Sequence, residues 1–271
     1  MPALVSKKLL LSLSAFSLAF VLSGCKSENA QAAADNKVEK AAATVASSDI
    51  TPEYVEKIRQ KFSAVRPDLK VDRIEASEVA GIYQVFFDGK GAIYMAASGD
   101  HFFSGDLFAI ENKQIVNVTE EKSNGPRAKL MASIDRDDMI IFSPKGETKA
   151  SITVFTDVDC GYCRKLHQEV PKMNEKGIEV KYLAYPRAGI GSNSYQKIAS
   201  AWCADDRNGA MDKLKSGQEI PTNVCENNPV PEQFNMGMQA GVTGTPALVL
   251  ENGRLIPGYM TADQLAQMLG I

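Results

Sequence analysis

Cys160-Gly161-Tyr162-Cys163 stands at a junction, and that junction restricts the chain more than any other stretch. Before it, Ser151-Ile152-Thr153-Val154-Phe155-Thr156 is rich in β-branched and aromatic residues, the composition of a core strand. Asp157-Val158-Asp159 is the turn. After it, a helix is expected to run through Leu166, His167 and Val170. The first turn of a helix carries unpaired N–H groups and the positive end of the dipole. A thiolate there is stabilised, so the thiol pKa falls below its free value of about 8.5. Cys160 is therefore the candidate attacking thiol, and Cys163, one turn further in and more shielded, the candidate resolving thiol.

Two structural cysteines, or half of a zinc site, are the rival readings of a lone C-x-x-C. No second C-x-x-C follows, and His167 is the one imidazole nearby. The pattern favours redox chemistry with no metal and no added cofactor.

The chain has 271 residues, 44% hydrophobic and 23% charged, and this suits one large or two small globular domains. A net charge of −3 and the lack of a long basic run give no reason to expect nucleic acid as a partner. Five cysteines, at 25, 160, 163, 203 and 225, leave one to be explained separately. Lys7, Lys8 and the apolar run Leu9 to Leu22 read as a signal peptide over 1–24, too short to span a membrane comfortably. Leu22-Ser23-Gly24-Cys25 resembles a bacterial lipobox, which would make Cys25 a lipid-modified first residue. An ordinary signal peptide cut after the alanines at 32–34 is the alternative. Lys26 follows Cys25, and by analogy with lipoprotein sorting in Gram-negative bacteria this points to the outer membrane. Residues 25–49 lack large apolar side chains and read as a flexible tether spanning about 25–30 Å. The expected location is the periplasm, with contact to a membrane through the lipid anchor alone.

A first folded domain is expected over 50–119. Thr51-Pro52 resembles an N-cap and first helical position, and Tyr54, Ile58 and Phe62 recur at helical spacing. Short strands are expected at 70–75, 82–87, 92–96, 101–110 and 114–119, with a turn at Asp88-Gly89-Lys90-Gly91. One helix on a curled sheet leaves sheet edges open, so pairing with a second copy is expected. Residues 120–138 read as a largely solvated linker helix beginning at Pro126.

The second domain is expected over 139–271. Pro171 should kink or end the C-x-x-C helix. Residues 179–185 alternate as a strand and complete a βαβ unit. Helices at 193–204, 209–215 and 231–240 form an insert, followed by strand 247–250, a turn, strand 255–256 and a last helix opened by the Thr261–Gln264 capping box. A C-x-x-C after the first strand of this order describes a thioredoxin-like fold. The whole is an α+β domain, a linker helix and an α/β catalytic domain with a helical insertion. In this fold Pro246, after Thr245, is expected to be cis and to face the C-x-x-C, with the adjacent backbone pairing to a bound peptide. With Cys160 and Cys163 paired, Cys203 and Cys225 remain for a structural disulfide.

FTDVDCGYCRKLH, KYLAYPRAG, Trp202-Cys203 with Cys225, and GVTGTPALVLENGRLIPGY resemble the DsbC branch of the DsbC/DsbG family of periplasmic thiol:disulfide interchange proteins. The resemblance runs from about Thr51 to the C-terminus. It implies a homodimer joined through the N-terminal domains, disulfide isomerase activity with some chaperone activity, and a DsbD-like membrane reductant. Lipobox and tether depart from the soluble members. On this reading Cys160 attacks non-native disulfides of misfolded exported proteins, and Cys163 releases stalled clients. Gly161 and Tyr162 tune the thiolate, Thr245-Pro246 holds the client, and an Asp157–Arg187 pair beneath the site assists the Cys163 proton. A dithiol oxidase, a non-catalytic dimeric chaperone and a metal carrier using the two thiols remain open at this point.

Overall fold

The computed structural model describes residues 50–87 and 91–271. The signal peptide at 1–24, Cys25, the tether through 49 and the turn residues 88–90 lie outside the described residues.

Helix α1 (Pro52–Val65) is capped by the Thr51 side chain, which accepts from the Tyr54 N–H. Its apolar spacing turns Ile58 and Phe62 inward. They pack on a four-stranded antiparallel sheet, β1 (Val71–Ala76), β2 (Ile82–Phe87), β3 (Gly91–Ala96) and β4 (Phe102–Phe103), in that order. Val85, Phe87 and Met95 complete this small core. A separate hairpin follows, β5 (Phe108–Glu111) with β6 (Gln114–Asn117). The expected strand at 101–110 is thus two pieces. Gly105, at φ 138°, breaks the extended run, and Asn112 and Lys113 turn the hairpin at φ 49° and 65°.

Helix α2 (Val118–Ala132) begins earlier than expected. Asn117 caps it by accepting the Glu120 N–H, and Pro126 lies inside the helix rather than at its start. Nor is the helix largely solvated. Arg127 is buried, donating to the carbonyls of Ala240 (2.6 Å) and Gly253 (2.8 Å) and pairing with Glu120. Glu120 in turn accepts the Leu255 N–H. A Cβ on Gly253 would sit 1.8 Å from the Asn124 carbonyl oxygen, and its φ of 84° also demands glycine. The thin apolar stripe understated this contact because a charged residue, Arg127, adds to what Leu130 and Met131 bury.

The second sheet has five strands in the order β11 (Leu255–Pro257), β10 (Ala247–Leu250), β8 (Ala150–Thr156), β9 (Ile178–Ala184), β7 (Ile140–Phe142). Only β8 and β9 are parallel, joined by α3 (Gly161–Glu175). Side chains alternate between faces along each strand. Ile152, Val154, Tyr182 and Leu248 face one core with Leu166, Met173, Trp202 and Leu265. Phe155, Leu183 and Val249 face the other, which Met131 and Ile134 help to fill. Pro171 does not end α3, because Val170 and Met173 are both buried and hold the turn around it. The insert is α4 (Asn193–Trp202), α5 (Arg207–Lys215) and α6 (Val230–Gln239). Helix α7 (Ala262–Leu269) closes the chain with the Thr261–Gln264 capping box formed.

Candidate active site

The site lies where β8 meets α3. Cys160 is the N-cap of α3, with extended backbone (φ −88°, ψ 120°) and no side-chain cap bond. Cys160 is 4% exposed, against 0% for Cys163. Both are free thiols. The Cys160 thiol donates to the Thr245 carbonyl at 3.2 Å. That carbonyl is held in place by the cis Thr245–Pro246 peptide, just before β10. Pro246 is anchored through its own carbonyl, which accepts the Gly258 N–H at 2.8 Å.

Burial pushes the Cys160 pKa up, but the Cys163 N–H, the Thr245 and Cys163 side chains and the charge of Arg187 together bring it below the ordinary thiol value. Burial dominates at Cys163 and pushes its pKa up despite the charge of Lys215, the Asp157 N–H and the Thr245 and Thr156 side chains. One position thus favours thiolate and the other thiol. Gly161 has open space where a Cβ would stand, and Tyr162 is exposed beside it.

Asp157 is buried in the turn. Its carboxylate accepts from the Ser194 hydroxyl (2.5 Å), the Asp159 N–H (2.8 Å), and the Arg187 N–H (2.9 Å) and guanidinium (3.2 Å). Burial raises its pKa, yet these donors, Ser194 foremost, carry it below the usual carboxylate value. What reaches Cys163 is the Asp157 backbone N–H, 3.5 Å from the sulfur. The carboxylate itself is held by Ser194, Asp159 and Arg187.

Lys215 is the group that motif reading missed. It is 3% exposed, under the site. Its ammonium donates to Thr156 Oγ1 (2.5 Å) and the Asp157 carbonyl (3.1 Å). Burial lowers its pKa to about 8, against the pull of Cys163, Asp157 and Cys160. A signal was available: Met211, Leu214 and Lys215 share one face of α5 at i, i+3, i+4, so the lysine falls on the apolar side. His167 bonds Tyr182 and Asp212 through its two ring nitrogens instead of joining the thiols. Among the described residues no group of three or more His, Cys, Asp or Glu side chains is placed to hold a metal ion.

Cys203 and Cys225 form a disulfide, Cα–Cα 5.8 Å, between the end of α4 and the loop before α6.

Residues 136–270 match the thioredoxin-like domain family, and residues 28–120 match the N-terminal domain of disulfide bond isomerase proteins. The thiol:disulfide interchange protein DsbC of Salmonella typhimurium is 37% identical over 214 residues, covering 78% of this chain and 85% of the relative. The chain belongs to the DsbC family. The DsbC of Dickeya dadantii is 36% identical over 204 residues, covering 75% of this chain and 82% of that one. A disulfide interchange protein from Neisseria gonorrhoeae of known structure is 32% identical, covering 51% of this chain and 96% of its own, at a TM-score of 0.45. As a DsbC-family member the chain is a thiol:disulfide interchange enzyme of the isomerase type, periplasmic like its homologues. Its electrons are carried on cysteine sulfur, with no metal cofactor.

Proposed function

We propose that Cys160 attacks non-native disulfides in misfolded exported proteins and that Cys163 resolves the mixed disulfide when a client stalls. The observation that carries this is the Cys160 thiol at the mouth of α3, facing the Thr245 carbonyl across the cis peptide. As thiolate, Cys160 forms a mixed disulfide; a client thiol then displaces it in a new pairing, and this is isomerisation. A stabilised thiolate is also a good leaving group, so both halves of the exchange gain. Thr245-Pro246 holds the client backbone as an added strand. Arg187 supplies positive charge near Cys160, Asp157 orders the turn, Gly161 leaves room for the client, and Tyr162 offers it an exposed ring. Cys203–Cys225 is structural.

The chain acts as a homodimer joined through its N-terminal domains, with chaperone activity toward unfolded clients. Phe102, Phe103, Phe108, Ile110 and Ile115 are exposed on the strands of that domain and support this reading. A membrane reductant of the DsbD kind keeps the pair reduced. Cys25 carries lipid and retains the enzyme at the outer membrane.

The test is refolding of a scrambled disulfide protein. Cys160→Ala should fall to background. Cys163→Ala should retain part of the isomerisation while the client accumulates as mixed disulfide. Full activity of Cys160→Ala would leave only a non-catalytic chaperone.

A further inference from the structure

A buried ammonium without a carboxylate partner is costly and calls for a reason. Lys215 is such a group: among the described residues its bonds go to the Thr156 hydroxyl and the Asp157 carbonyl, and no carboxylate forms an ion pair with it. Cys163 borders the same junction: its sulfur accepts the N–H of Asp157 at 3.5 Å, the residue whose carbonyl Lys215 holds at 3.1 Å. We propose that Lys215, acting through the Thr156 hydroxyl, is the positioning residue that takes up the Cys163 proton and stabilises the resolving thiolate. This rests on the assignment of Cys163 as resolving thiol.

The step balances on groups already present. The Cys163 S–H gives its proton by way of Thr156 to the neutral Lys215 amine. The Cys163 sulfur attacks Cys160 of the mixed disulfide, the Cys160–Cys163 bond forms, and the Cys160–client bond breaks. The client sulfur leaves as thiolate, reduced, and the enzyme pair is oxidised. The Lys215 proton is then available to the client thiolate, so the net products are an enzyme disulfide and a client thiol.

The surroundings suit an amine that changes charge near neutral pH. Lys215 faces Cys163, Cys160 and Asp157 from the β8–α3 junction, all favouring its charged form, and Arg164 on α3, which opposes it. The Tyr182 ring on β9 lies 5.6 Å from Nζ, and His167 on α3 is itself pushed toward neutrality by burial and by Lys215. Burial sets the balance, with a pKa of about 8. The Asp157 carboxylate, for its part, accepts from Ser194 and from the Arg187 N–H and guanidinium.

Lys215→Met keeps length and shape and removes the charge. Formation and decay of a mixed disulfide with a model client would be followed in the same reaction across pH 6 to 10. Formation reports on Cys160 and on the proposed function; decay reports on Lys215. Decay in the variant should slow about tenfold near pH 8, the equivalent of one unit in the Cys163 pKa, and lose its inflection near 8. Decay with the wild-type rate and pH profile would overturn the proposal. If the variant fails to fold, the Nζ resonance of Lys215 in the intact protein decides. Its titration should move to higher pH on reduction of the pair, and the same midpoint in both redox states would overturn the proposal.

Discussion

Two cysteines three residues apart behave differently because a few neighbouring groups treat them differently. The N–H of Cys163 and the charge of Arg187 act on Cys160, while complete burial governs Cys163. Thiolate absorbance of the reduced protein should therefore rise in two steps, one below the ordinary thiol range and one above it. Cys160→Ser should remove the lower step alone. The sign for stability follows from linkage. Cys160 has its folded pKa depressed, so its contribution to the reduced protein is complete above the unfolded value of about 8.5 and is lost as pH falls through the folded value. The denaturation midpoint of the reduced wild type should accordingly drop toward that of Cys160→Ser as pH is lowered through this window. Much of this was legible in the sequence: CGYC at a strand–helix junction, and Asp157 with Arg187 nearby. Lys215 was legible only in part: its spacing from Met211 and Leu214 puts it on the apolar side of α5, but a lysine ordinarily reaches for water, and the packed insert is what shows it buried.

At the scale of elements, the pieces that hold the site were the easier ones to read. β8, α3, β9 and β10 carry strong period and turn signals, and the capping box of α7 is written in Thr261 and Gln264. Linker helix α2 was harder. Its start depends on one Asn cap, and its contact with the rest of the chain on a buried arginine as well as on the apolar Leu130 and Met131. The Cys203–Cys225 bridge closes a loop of the insert and should contribute about 3 kcal/mol by restricting the unfolded chain. Hairpin β5–β6 is the element left without cover. Ile110 and Ile115 are 85% and 76% exposed, directly opposite each other in the register. Charge at both, as Ile110→Glu with Ile115→Glu, should weaken the dimer at least about 100-fold, since each buried isoleucine contributes about 2–3 kcal/mol. Analytical ultracentrifugation reads this, and an undisturbed dimer would place the interface elsewhere.

For the whole molecule, direction is the question that chemistry at the site leaves to the cell. The same dithiol can donate or accept electrons according to what keeps it poised. An isomerase needs Cys160 free, whereas an oxidase needs the Cys160–Cys163 disulfide. Family membership fits the first. Cys203–Cys225 supplies an internal reference, since it is a disulfide in the same chain and the same compartment. The most direct measurement traps thiols in living cells with an alkylating reagent that adds mass to each free cysteine. The account predicts Cys160 and Cys163 mostly alkylated while Cys203 and Cys225 remain joined. Finding both pairs oxidised would contradict it and assign the protein to disulfide formation instead.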